Sequence, residues 1–222
     1  MSFSPDWDDA YRAGTHLTTW PFSDLVSFVY RHAKPADGFR AILELGCGVG
    51  ANVPFFLRLG VDYHAVEGSP NAVARLLAAY PDLKDKVAVG DFTQAIPFDG
   101  PFDLIVDRAA LVHNPTESMR RTINMVHDRL RAGGKFIGID WFSSEHQDAK
   151  RGDEVDPHTR TNFTSGPFAG VGNVHFCDQE HLKNLMGGAG LSLVHLEHKQ
   201  TQGRVPAGGN RFGYWNFVAV KL

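Results

Sequence analysis

The residues best placed to do chemistry are carboxylates at the ends of apolar runs. Glu44 sits inside the run "ILEL", two positions before a turn that carries Gly46, Gly48 and Gly50. Glu67 and Gly68 close "DYHAVEG", with Ser69 next. Asp91 and Phe92 end "VGDF", Asp107 and Arg108 end "PFDLIVDR", and Asp140 ends "KFIGID". His113 follows in "ALVHNP". A strand, a glycine-rich turn and a helix form a nucleotide-type site: the glycines let backbone approach a ligand, and the helix start offers unpaired N–H groups. An acidic residue about twenty positions further on can take two ribose hydroxyls, and Glu67 has that spacing.

Two readings of the turn compete. "GCGVGA" fits G-x-G-x-x-A, the dinucleotide fingerprint of a nicotinamide or flavin enzyme. It also fits G-x-G-x-G with a carboxylate two residues ahead. Glu44 favours the second, because a carboxylate repels a pyrophosphate and welcomes a cationic ligand. S-adenosylmethionine has a ribose, a sulfonium and an amino group, and no phosphate.

These residues need elements to hold them. "RAILELG", "DYHAVEG", "KVAVGDF", "PFDLIVDR" and "KFIGIDWF" read as short apolar strands. Between them, "NVPFFLRLG" (with Asn52 as cap), "SPNAVARLLAAYP" and "PTESMRRTINMVHDRLRAGG" read as helices, the last ending at Gly133 and Gly134. Strands alternating with helices and apolar throughout predict a parallel sheet covered on both faces. Ahead of them, "PFSDLVSFVYRHA" has helical spacing and ends at Pro35. After them, "DQEHLKNLMGGAG" is a helix, and "LSLVHLEHKQT" and "YWNFVAVKL" are strands with no helix between, suited to antiparallel pairing at the sheet edge.

In this order, "LELGCGVGANVPFF", "VEGSP", "VGDF", "FDLIVDRAALVH" and "LRAGGKFIGID" resemble the successive motifs of the class I S-adenosylmethionine-dependent methyltransferases, from about residue 40 to residue 141. The resemblance implies a Rossmann-like α/β fold: a doubly wound, mostly parallel seven-stranded sheet with one antiparallel strand near its edge. It implies S-adenosylmethionine as cofactor and S-adenosylhomocysteine as product. Glu44 and the Gly46–Gly50 turn would face the methionine end. Glu67 would take the ribose hydroxyls, flanked by Gly68 and Ser69. Asp91 and Phe92 would hold the adenine, and Asp107 and Arg108 would line the cleft where the methyl is presented.

Methyl transfer is an in-line displacement at the sulfonium carbon, so the protein aligns the acceptor, excludes water and takes a proton from an oxygen or nitrogen acceptor. His113 and Asp140 are the candidate bases. Trp141 and Phe142 are candidate pocket walls. In "DEVDPHTRTNF", His158 and Arg160, with Asp156, would hold a polar or anionic acceptor. Trp7, Tyr11 and Trp20 would close over the site.

The domain reading is one methyltransferase domain: a helical cap at 1–36, a cofactor core at 37–142, a polar, aperiodic segment at 143–176 that suits a substrate lid, and a helix with an antiparallel strand pair at 177–222. The net charge of −3 with scattered Lys and Arg argues against a nucleic-acid partner. No apolar run is long enough to span a membrane. With two distant cysteines and no leader pattern, a cytoplasmic location is expected. His175 and Cys177 share a strand face, but no second pair stands at ligand spacing, so no metal is expected. The chain after "DLIV" reads "DRAA" and lacks the Pro-Pro pattern of nucleobase amino-group methylases. The expected acceptor is small and polar, a sugar or hydroxy acid, with O-methylation favoured over N-methylation. A nicotinamide oxidoreductase and a non-catalytic cofactor-binding module are the alternatives.

Overall fold

A computed structural model describes residues 4–33, 40–206 and 209–222. Five strands, β1 (Ala41–Leu45), β2 (Asp62–Glu67), β3 (Val87–Val89), β4 (Phe102–Arg108) and β5 (Leu130–Phe142), run parallel. β9 (Leu191–Gln202) and β10 (Arg211–Lys221) complete a seven-stranded sheet of order β3-β2-β1-β4-β5-β10-β9, in which β10 runs antiparallel to both neighbours. This is the sheet that the motif order implies.

Alternate residues of the central strands feed two cores. Ile42, Leu104 and Val106 face one core, with α2 (Ser23–Phe28), α3 (Val53–Arg58) and α4 (Pro70–Ala79) against it. Leu43, Leu45 and Ile105 face the other, packed by α5 (Thr116–Arg129) and α6 (Gln179–Gly188). Burial on both faces is why these strands read as unbroken apolar runs. The remaining helix, α1 (Pro5–Arg12), buries no residue.

Three local expectations change. The fifth helix stops at Arg129, four residues before Gly133, because Leu130 is buried and pairs with Phe102 at the start of β5. Asn52 holds the cap position of α3 without capping it, since its side chain is drawn away to Glu44 and to the Phe22 backbone. Pro35 lies outside the described residues.

The 143–176 segment folds into a small antiparallel sheet of β6 (Asp153–Asp156), β7 (Thr159–Thr161) and β8 (Val174–His175). Phe163, Phe168, Val171 and Phe176 are buried in the core that includes Phe142. Its apolar residues lack a helical or strand period because tertiary contact, not a repeating face, buries them.

Candidate active site

The carboxyl ends of β1, β2 and β4 open into one cavity of about 330 Å³, within the usual range of small-molecule sites. Open α/β sheets bind ligands at this end, where the strand order reverses. Here β1 lies between β2 and β4.

The glycine turn follows β1. Gly46 has φ +67°, and a Cβ there would stand 2.2 Å from the Ala110 Cβ, so only glycine lets the turn lie against the loop after β4. Gly48 donates its N–H to Glu67 Oε2 at 2.8 Å, and Ser69 N–H donates to Glu67 Oε1 at 2.9 Å. These bonds fix the carboxylate plane and leave each oxygen a further lone pair. Glu44 accepts from Asn52 Nδ2 and Tyr63 Oη, both at 2.7 Å. Burial pushes both carboxyls above the ordinary range, while their hydrogen bonds pull the other way.

Gly68, Asp91 and Phe92 join Glu44, Gly46, Gly48 and Glu67 around this half of the cavity. The half therefore carries three carboxylates. Among the described residues the only Lys or Arg lining the cavity is Arg108, and it is paired with Asp140. Such a surface fits a ligand with hydroxyls and a cationic end and rejects a pyrophosphate, so the residues present suit S-adenosylmethionine and not a dinucleotide.

α1 lies over the turn. The Tyr11 hydroxyl comes within 2.7 Å of where a Cβ on Gly48 would stand, and Trp7 and Tyr11 both line the cavity. No residue of α1 is fully buried; Trp7 packs partly buried against the core, and polar contacts add to it: Asp8 accepts from Ser69 Oγ, Asn71 N and Asn71 Nδ2 at the start of α4.

The other half of the cavity has aromatic walls. Trp7, Phe22, Phe142, Phe168 and Tyr214 line it with Pro167 and Val171, and the polar groups Arg108, His113 and Asp140 face the same space. His113 Nδ1 lies 3.0 Å from the Asn173 carbonyl. A carbonyl only accepts, so Nδ1 carries the hydrogen and Nε2 keeps its lone pair. Trp7 and Phe142 meet the ring edge-on, with centroids at 4.8 and 5.6 Å. Burial lowers the His113 pKa to about 4, with the Arg108 charge adding to it and the Asn173 bond opposing it. Asp140 has φ +56°. Its N–H donates to Asn216, and its Oδ2 accepts from Arg108 at 3.1 and 2.9 Å. The Arg108 guanidinium also lies 3.8 Å over the Phe22 ring.

Several residues expected at the site lie elsewhere. Gly50 packs toward Leu76 of α4. Ser69 stands beside Glu67 through its N–H, while its hydroxyl caps α4 through the Ala72 N–H. Asp107 is fully buried beneath the loop, accepting from Leu111 N–H and Trp141 Nε1, and burial raises its pKa to about 7. Trp141 is a core residue against Phe136 and Phe217, because alternation along β5 turns it away from the cleft that Asp140 and Phe142 face. His158 stacks on His181, and Arg160 pairs with Glu154, both away from the cavity. Trp20 is 80% exposed and does not line it. Two contributors gave no local signal. Tyr214 reaches the cavity only because β10 pairs with β5, and Phe168 arrives on the small sheet's return loop.

A family model for the methyltransferase domain matches residues 20–196. The chain belongs to that family, and its fold is that of the class I S-adenosylmethionine-dependent methyltransferases. No curated protein matches the chain. A methyltransferase of this type from Methanosarcina mazei superposes with a TM-score of 0.70 at 16% identity, covering 91% of this chain and 99% of its own. The 1,6-didemethyltoxoflavin N1-methyltransferase of Burkholderia thailandensis, solved with its acceptor and S-adenosylhomocysteine, gives 0.65 at 18%, covering 97% and 85%. The magnesium protoporphyrin IX methyltransferase of Synechocystis, solved with S-adenosylmethionine, gives 0.56 at 14%, covering 90% and 79%. Among the described residues no helix is long and apolar enough to cross a membrane.

Proposed function

We propose that this methyltransferase moves the S-adenosylmethionine methyl group to the oxygen of a small, flat acceptor whose hydroxyl ionises readily, such as a phenol or enol. The observation that carries the reading is the pairing of aromatic walls with His113, a neutral imidazole whose free Nε2 belongs to a weak base. General-base catalysis works best when base and acceptor are matched in acidity. A ring with a pKa of about 4 is poorly matched to a sugar alcohol and better matched to an acidic hydroxyl. The acceptor first expected, a sugar or hydroxy acid, rested on the polar composition of 143–176. The aromatic residues that this segment and its surroundings place around the cavity favour a flat acceptor instead.

In this reading Glu67 takes the ribose hydroxyls, Asp91 and Phe92 hold the adenine, and Glu44 with the glycine turn faces the amino-acid end. Bound there, the cofactor supplies the electrophilic methyl. His113 accepts the acceptor proton at Nε2. Arg108 and Asp140 hold each other and set the polar edge of the acceptor pocket. Trp7, Phe142 and Phe168 stack the acceptor and exclude water. The segment 143–176 serves as the wall and lid of that pocket.

The test is methyl transfer from S-adenosylmethionine to a panel of phenols, enols, sugar alcohols, hydroxy acids and flat nitrogen heterocycles, followed by mass spectrometry of the product. Turnover confined to phenols and enols supports the proposal. Turnover confined to sugar alcohols or hydroxy acids overturns it. Methylation of a ring nitrogen keeps the flat acceptor and overturns the oxygen.

A further inference from the structure

A second cluster of chemically capable side chains lies outside the cavity. His175 ends β8, Cys177 stands two residues on, and His181 is in the first turn of α6. Ligand-capable atoms of the three lie within 4.8 Å of one another, and all three residues are buried. His175 Nε2 and His181 Nε2 are 3.0 Å apart. None of the three lines the cofactor and acceptor cavity. The sequence reading expected no metal because it found no second pair beside His175 and Cys177. The fold supplies the missing partner by turning α6 back over the strand.

The hydrogen bonds behind the cluster decide which nitrogen is free. Asp156 accepts from Thr116 N, Thr116 Oγ1, His158 N and Thr159 Oγ1. The Thr159 proton is thereby committed to the carboxylate, so its oxygen accepts from His175 Nδ1 at 2.9 Å. His175 Nδ1 therefore carries the hydrogen, and Nε2 presents a lone pair toward His181. Metal-binding histidines are oriented in this way, by a carboxylate-anchored acceptor on the far ring nitrogen.

We propose that His175, Cys177 and His181 hold one zinc ion. Two imidazoles and a thiolate are the donors that zinc takes in structural sites, and no carboxylate belongs to the set, which disfavours calcium and magnesium. Tetrahedral zinc with Zn–N bonds of about 2.0–2.1 Å separates two ring nitrogens by about 3.4 Å. The observed separation needs to widen by only a few tenths of an ångström. His158 stacks on His181 with ring centroids 3.6 Å apart, beside the three donors. The ion would staple β8 to α6. Asn173, whose carbonyl orients His113, lies two residues before His175, so the staple also steadies the acceptor pocket.

The experiment uses the full chain, stripped with a chelator and titrated with Co(II), then Zn(II). One equivalent of Co(II) should give the d–d bands of a tetrahedral site and a thiolate-to-metal charge-transfer band. One equivalent of Zn(II) should erase both and raise the melting temperature by mass action. Cys177→Ser should abolish the charge-transfer band, and His181→Gln should weaken uptake about tenfold or more. His195→Gln, on β9, should change neither. No stoichiometric uptake, or uptake by the wild type without the thiolate band, would show that His175 and His181 are only a hydrogen-bonded pair. That outcome overturns the proposal whether or not Cys177→Ser folds. A band that survives in folded Cys177→Ser overturns it as well. None of these readouts depends on methyl transfer.

Discussion

Replacing Glu67 by glutamine tests the cofactor assignment most directly. Both carboxylate oxygens accept a backbone N–H, from Gly48 at 2.8 Å and Ser69 at 2.9 Å, and the residue is 5% exposed. Glutamine keeps the length but replaces one acceptor oxygen with a donor NH2. One backbone N–H then faces another donor, and one ribose hydroxyl loses a charged acceptor. A hydrogen bond to a charged group contributes about 1.5–3 kcal/mol. Since 1.4 kcal/mol is a factor of ten, S-adenosylhomocysteine should bind roughly 10- to 150-fold more weakly. Isothermal titration calorimetry on a variant with unchanged circular dichroism measures this. Glu154→Gln, in an exposed ion pair on β6, is the control and should bind normally. A folded Glu67→Gln variant that binds within twofold of the wild type would remove Glu67 from the ribose.

His113→Ala should slow single-turnover methyl transfer by roughly 10²–10⁴-fold with little change in cofactor affinity. The wild-type rate should be flat from pH 6 to 8 and fall only as the pH drops toward about 4, because the partly buried, desolvated ring stays neutral down to there. A rise through pH 6.5 would contradict that burial. The same depressed pKa makes the unfolded chain bind the extra proton first, so stability is lost as pH falls from about 6.5 to about 4. The His113 share is at most about 3 kcal/mol, and urea unfolding at several pH values should show a shallower loss in His113→Ala. Asp8→Ala removes the three acceptor contacts that hold α1 to α4, so hydrogen exchange of α1 amides should quicken while β1 and β4 stay protected. Unchanged exchange would mean that Trp7 and Tyr11 hold the helix without the latch. Phe168→Ala should raise the acceptor KM more than it changes the affinity for S-adenosylhomocysteine; equal effects would place Phe168 at the cofactor instead.

What the sequence determined by itself is the carboxylate-lined part of the cavity. The alternation of strands and helices, the glycine turn and the carboxylates at the ends of β1 and β2 and just after β3 are local patterns. A strand end and the turn after it are adjacent in the chain, so spacing alone puts Glu44, Gly46, Gly48, Glu67 and Asp91 at one end of the sheet. The same logic overreached where a residue's face mattered. Asp107 and Trp141 sit at strand ends, yet the two side chains turn inward and bond each other. The aromatic wall of the cavity was decided by tertiary structure. Tyr214 comes from the last strand, Phe168 from a small sheet with no sequence period, and Trp7 from a helix with no fully buried residue that is tied down through Asp8. These groups meet through long-range packing, in which any apolar or polar residue of suitable shape serves. Local spacing therefore carries no trace of the meeting, and only the closed fold brings them within bonding distance.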